Sequence, residues 1–220
     1  MILFVLCITA FLFFICFNLL TNNKVLHAIT SIVFAVLFIL STFFITINFH
    51  DHYGMHKVSH EETSSLVSSI HIPTDTLIYQ PVGTSNKDRI VIYRTNDKQS
   101  TAEHTNVDKI YNKIISTNDN KAKLVTKTFK YEYKSSTYRL WFGLAQKPTR
   151  VKTVNYFYIP KTWMSLTVKK AGKYYVQSQI RIAIMKDPKM TLEQRNKLIK
   201  KAKSDFEYMI QKDALKKMIK

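Results

Sequence analysis

The sequence predicts a membrane protein in which an N-terminal two-helix transmembrane hairpin precedes a single α+β domain, an antiparallel β meander with C-terminal amphipathic helices. Three observations carry this. Residues 2–20 have no charged side chain and residues 27–49 only His27, so the chain opens on apolar runs of 19 and 23 residues parted by a short polar stretch. Beyond residue 49 lie 32 basic and 15 acidic residues, a formal charge of +17 on 171 residues. Within that part, a run of period two at residues 124–133 and a capped amphipathic stretch from Thr191 announce both strand and helix.

At 1.5 Å per residue each opening run, if helical, is about 30 Å long, the thickness of a bilayer core. Helices apolar around their whole circumference have no wet face, and lipid is the solvent that suits them. The connection at residues 21–24 forces the second run back antiparallel. A signal peptide is disfavoured, because no basic stretch precedes Ile2 and no small-residue cleavage site stands near Thr21. Ala28, Ser31, Ala35 and Thr42 form a small-residue stripe on the second span, with Thr9 and Ala10 as facing positions on the first. Lys24 is the sole Lys or Arg before Lys57, which puts the turn in the cytoplasm and both termini outside. Both cysteines, Cys7 and Cys16, lie in the first span, so the rest of the chain has no disulfide framework, thiol nucleophile or cysteine-based zinc site.

Residues 50–76 read as a histidine-rich juxtamembrane segment and linker. His52, His56 and His60 are the metal candidates, sharing one face if the segment is helical, but they match no established ligand spacing and Gly54 weakens a helix there. Serines and Pro73 mark residues 63–76 as linker. The basic α+β domain then occupies residues 77–220, with the sheet at about 77–168. Residues 77–80 and 89–94 are short β-type runs joined by a turn-rich loop, whose Gly83-Thr84-Ser85 lacks the spacing and terminal lysine of a phosphate-binding loop. Residues 96–120 fit a short helix or a long excursion. Residues 124–133, 138–142 and 150–159 read as three strands, the last stopped by Pro160. Their aromatics pack a core in the main reading; beside Lys127, Lys130, Arg139, Arg150 and Lys152 they could instead stack sugars or bases. Residues 174–185 fit both periodicities. From Thr191 a capping box with Gln194 opens a helix of about 45 Å to the C-terminus. Its apolar face carries Leu192, Ile199, Ala202, Phe206, Met209, Ile210 and Met218, and its first half is expected to pack on the sheet. The opposite face, Lys197, Lys200, Lys201, Lys203, Lys212, Lys216 and Lys217, is the candidate contact with an anionic surface.

With these pieces in order the chain resembles an uncharacterised membrane-protein family of lactic acid bacteria, catalogued as domain-of-unknown-function family 4811. The likeness rests on the paired spans, His52-Tyr53-Gly54-Met55, residues 77–85, residues 124–128, residues 155–160 and residues 185–191. The resemblance implies no activity or catalytic residue. It tips residues 174–185 toward helix, giving helices at about 173–186 and 191–219.

The expected function is that of a non-enzymatic, membrane-anchored envelope protein of a Gram-positive surface, without cofactor, whose basic domain binds anionic wall polymer, lipid or a membrane partner. Its outside location disfavours nucleic acid. The alternatives are an accessory subunit of a transporter and a metal-dependent or wall-directed hydrolase. For the hydrolase only His52, His60, Glu61 and His104 are candidates, and no G-x-S-x-G, H-E-x-x-H or S-x-x-K arrangement supports it.

Overall fold

The computed structural model describes residues 1–19, 24–70, 72–83, 88–106 and 109–219. The predicted turn at 21–23 and residues 84–87 of the turn-rich loop, with Thr84 and Ser85, lie outside them. The chain divides into two compact units, Met1–Ser59 with Phe129–Val151 and His60–Thr128 with Lys152–Lys220.

The first unit begins with two apolar helices, α1 (Ile2–Asn18) and α2 (Lys24–Asp51). They pack together through small and polar side chains. Ile2, Thr9 and Cys16 are buried on α1 and Ser31 and Ser41 on α2, while Phe11, Phe14, Ile29, Ile32, Ile39 and Phe43 point away and are more than half exposed; Asn48, also buried, bonds Tyr53 O at 2.6 Å instead. Two of these hydroxyls are satisfied by their own helix: Thr9 Oγ1 donates to Val5 O at 2.8 Å and Ser41 Oγ to Leu37 O at 2.8 Å. The seam corrects the expected stripe in detail. Ser31 and Thr9 lie in it as anticipated and Ala35 is half-buried, but Ala28 and Thr42 are exposed and Ser41 takes the place expected of Thr42. By length and composition α2 can cross a membrane, whereas α1 is a shorter apolar helix of 17 residues.

After α2 the chain turns within three residues into β1 (Met55–Ser65). Gly54 makes the turn possible twice over: its φ is +79°, and a Cβ there would stand 2.4 Å from Cδ1 of Tyr138. The segment at 138–142, expected as a strand, is a helix, α3 (Ser136–Phe142). Ser135 explains the difference: its extended backbone and its hydroxyl, which accepts from Tyr138 N, cap the helix start. Tyr138 and Phe142 pack against Tyr53, leaving Leu140, Trp141 and Leu144 exposed.

The second unit is layered. The remaining strands are β2 (Thr76–Val82), β3 (Asp88–Tyr93), β4 (Glu103–His104), β5 (Ile110–Thr117), β6 (Lys123–Tyr133), β7 (Thr149–Pro160) and β8 (Met164–Thr167). They form two four-stranded sheets, ordered β1-β6-β7-β5 and β4-β3-β2-β8, with β1, β6 and β7 contributing residues to both units. Both sheets depart from the expected antiparallel meander. β2 pairs antiparallel with β3 but parallel with β8, and β5 runs parallel to β7, Ile110 opposite Thr153 and Thr117 opposite Pro160. Residues 96–120 supply β4 and β5, where a helix or excursion was expected.

Successive residues of β2 and β3 enter opposite cores. Leu77 and Val91 join Leu124, Phe157 and Ile159 between the sheets, while Ile78, Ile90 and Ile92 join Ala171, Tyr175, Ala202 and Phe206 of the helices. A sheet covered on both faces needs unbroken apolar strands, which accounts for Ile90-Val91-Ile92. The segment at 66–70, expected as linker, is buried. Its serine hydroxyls substitute for backbone partners: Ser69 Oγ donates to Ile92 O at 2.7 Å and accepts from Ile78 N at 3.1 Å.

The ambiguous segment is helical, as the resemblance implied, within α4 (Val168–Lys186), capped by Thr167. The predicted capping box at Thr191 and Gln194 is present at the start of α5 (Leu192–Met209). The expected continuous C-terminal helix is broken, α6 (Lys212–Ile219) following a kink at Gln211, φ +47°. The connection around β4 catches the break: Ala102 N donates to Met209 O at 2.8 Å, and His104 Nε2 lies 2.6 Å from Ile210 O. No proline or glycine marks this kink in the sequence. Packing extends from the middle of the predicted helix to its end, since Leu192 is exposed whereas Ala202, Phe206, Ile210 and Leu215 are buried.

Candidate anionic-surface contacts

Along β7 the side chains alternate, Phe157 and Ile159 inward, Tyr156 and Tyr158 on the opposite face. The two tyrosine rings stack with centroids 6.3 Å apart. Lysines from the flanking strands lie over them: Lys113 Nζ at 5.6 Å and Lys127 Nζ at 5.9 Å from the Tyr156 ring, Lys123 Nζ at 5.6 Å from Tyr158. Contacts of this kind fix where the ammonium groups stand without neutralising them. Carboxylates partly do so, Glu61 bonding Lys127 at 2.8 Å and Asp119 reaching Lys123 at 3.7 Å. The Glu61 bond first, and then its charge, holds Lys127 above the ordinary lysine range. Of the basic residues expected beside aromatics, Lys127 is here, whereas Lys130, Arg139 and Arg150 belong to the other unit. Lys113 and Lys123 escaped sequence reasoning. Lys113 meets Tyr156 only through the parallel register of β5 and β7, which no local pattern encodes.

The helical lysines are split by the kink, Lys197, Lys200, Lys201 and Lys203 on α5 and Lys212, Lys216 and Lys217 on α6. Three have intrahelical or near-neighbour partners: Lys197 with Glu193 at 2.9 Å, Lys216 with Asp213 at 3.8 Å, and Lys212 with Glu207. Lys200, Lys201, Lys203 and Lys217 form no ion pair among the described residues, which leaves their charge for other partners.

The metal candidates are not gathered. The His52 ring lies tilted against Tyr131, centroids 3.8 Å apart, while His56 and His60 lie on β1, four residues and so about 13 Å apart along a strand. The helical face that would have aligned the three histidines does not form, because the strand starts at Met55. Among the described residues no group of three or more His, Cys, Asp or Glu side chains could hold a metal ion. The hydrolase candidates are used otherwise. Glu61 pairs with Lys127, and His104 contacts Ile210 O in a half-buried position where desolvation lowers its pKa against the opposing effect of that bond. Tyr93, next to Glu103, is pushed up to about 12 by burial first and then by the carboxylate, away from the neutral range in which acid–base catalysts work.

Fold and surface define an α+β protein with an apolar helical pair at its N-terminus and a lysine-rich exterior. The sequence profile described as Domain of unknown function (DUF4811) matches residues 23–174, and the chain belongs to this family. The match takes in α2 and every strand; α1, most of α4, α5 and α6 lie outside it, as do residues 185–191 of the resemblance. No curated protein and no solved structure matches the chain.

Proposed function

We propose that the protein is a non-enzymatic, two-span membrane anchor that presents a basic domain outside the cell, at a Gram-positive envelope, to anionic wall polymer, anionic lipid or another membrane protein. The observation that carries the reading is the inverted order of α1 and α2, with Thr9, Cys16, Ser31 and Ser41 inside and most of the phenylalanines and isoleucines outside. In water such a pair would bury the wrong groups; in hydrocarbon it buries the right ones. At 17 residues α1 meets the lower limit for a span, and α2, with 28, exceeds it by a margin that tilt absorbs. Lys24 then favours a cytoplasmic turn, with the basic domain on the far side. The unpaired lysines of α5 and α6, and the lysine-clasped Tyr156 and Tyr158, are the groups offered to anions.

The test uses a Cys7→Ala/Cys16→Ala background carrying Lys24→Cys or Lys217→Cys. A membrane-impermeant maleimide applied to intact cells is expected to label position 217 at once and position 24 only after lysis. Labelling of both from one side would defeat the two-span reading, and the opposite pattern would invert its sidedness. The electrostatic part predicts that the full chain in neutral nanodiscs binds anionic vesicles far better at about 50 mM than at about 500 mM salt. Salt-independent binding would remove it.

A further inference from the structure

A cleft of about 500 Å³ with an apolar floor and a charged rim lies where α4, α5 and β2 meet. Val168, Gly172, Val176, Phe206 and Ile210 form its floor. Gly172 keeps that floor open and shallow: a Cβ there would already stand 3.1 Å from Cε1 of Phe206, so any side chain would press into the ring. The rim is cationic, with Lys169 and Lys173 one turn apart on α4, Lys203 on α5 and Lys212 at the start of α6. Its one carboxylate, Glu207, is held below its ordinary pKa by its bond to Lys212, with Lys216 and Lys203 adding to the effect. Lys169 and Lys173 form no ion pair among the described residues. The first turn of α4 carries no acidic side chain either, so the positive end of the helix adds to the rim.

We propose that this cleft binds one anionic amphiphile with a single alkyl chain, the chain on the Phe206–Val176 floor and the head group between Lys169, Lys173 and Lys203. The inference rests on the reading of the domain as a partner of anions and gives one of them a place and a shape. Charge complementarity sets the sign of the head group. Volume is consistent with a single chain: at about 30 Å³ per water-sized group the cleft takes on the order of 17 such groups, room for one alkyl chain. A soluble anion alone would leave the apolar floor wet, and a neutral lipid would leave the lysines without a partner.

The test places the full chain in phosphatidylcholine nanodiscs and exposes it to a long-chain fatty acid carrying a diazirine in mid-chain, with photolabelled peptides mapped by mass spectrometry. The corresponding fatty alcohol and inorganic phosphate as competitor are the two control arms. The acid is expected to label peptides containing Val176 or Phe206, the alcohol weakly, with inorganic phosphate competing poorly. Lys169→Glu/Lys173→Glu is expected to lower labelling by roughly tenfold or more, and Lys186→Glu/Lys189→Glu, at the far end of α4, to leave it within about twofold. Val176→Trp, which fills the cleft without touching its charge, is expected to lower it as well, with circular dichroism verifying the fold of each variant. Labelling confined to α1 and α2, equal labelling by the alcohol, efficient competition by inorganic phosphate, or indifference to both cleft variants would each overturn the proposal. Vesicle binding measured on the same samples separates the two failures. If it stays salt-dependent while the acid fails to label the cleft, the cleft alone is refuted; if it is lost too, the anion-binding reading falls with it.

Discussion

Helix α2 and strand β3 are both apolar, yet they treat those residues in opposite ways. In β3 Ile90, Val91 and Ile92 are shielded on both faces, and polar atoms nearby are bonded into the backbone of the sandwich. In α2 Ile39 is 63% exposed while Ser41, two residues on, is 7% exposed. One rule produces both patterns if burial is judged against the surrounding solvent. Against water, the sheet hides hydrocarbon; under the proposed two-span reading, the helical pair hides its hydroxyls from hydrocarbon.

That contrast can be broken at four points. The largest effect is expected from Ile78→Asp, which puts a carboxylate into an apolar core and should cost more than about 4 kcal/mol, seen as loss of the cooperative urea transition of the detergent-solubilised chain. Ile39→Asp makes the same chemical change near the middle of α2. It should leave that transition in place and instead oppose insertion by about 3 to 4 kcal/mol, read as a lower membrane-integrated fraction after alkaline extraction. An unchanged fraction would mean that this face does not meet lipid. Ser41→Leu tests the seam: the added bulk should cost about 1 to 3 kcal/mol of α1–α2 packing and lower the thermal midpoint in detergent, whereas Ser41→Ala should not. The smallest effect belongs to His104. Its folded pKa lies below the ordinary value, so on acidification the unfolded chain takes up the proton first, and the neutral imidazole's contribution, complete above about pH 6.5, declines as pH falls through that value. Replacement by Asn should flatten this part of the stability profile; an unaltered slope below pH 6.5 would exonerate the histidine.

Much of this was readable from residue order, and what escaped has physical causes. The apolar runs, the strand at 124–133 and the capping box at Thr191 are local signals, legible because period and cap chemistry act over a few residues. The α3 segment misled because Tyr, Trp and Phe favour strands on average, while the one hydroxyl of Ser135 decides for a helix. The serines of 66–70 imitate a linker, and only long-range partners such as Ile92 O reveal that they are buried. Parallel pairing of β5 with β7 and β2 with β8 joins residues 43 or more positions apart, beyond any local period, so the tyrosine–lysine face and the antiparallel error share one origin. The kink at Gln211 likewise depends on carbonyls being caught by Ala102 and His104 from elsewhere in the chain.

The three residues between Asp51 and Met55 set a short leash. Fully stretched they could reach about 11 Å, and the left-handed backbone of His52 and Gly54 coils them tighter still. If α2 crosses a bilayer, the first residues of β1 emerge within about a nanometre of the head groups, with no stalk to carry them outward. Such a joint suits gripping what is already at the surface, and it would pass a tilt of the span directly to the strand that follows.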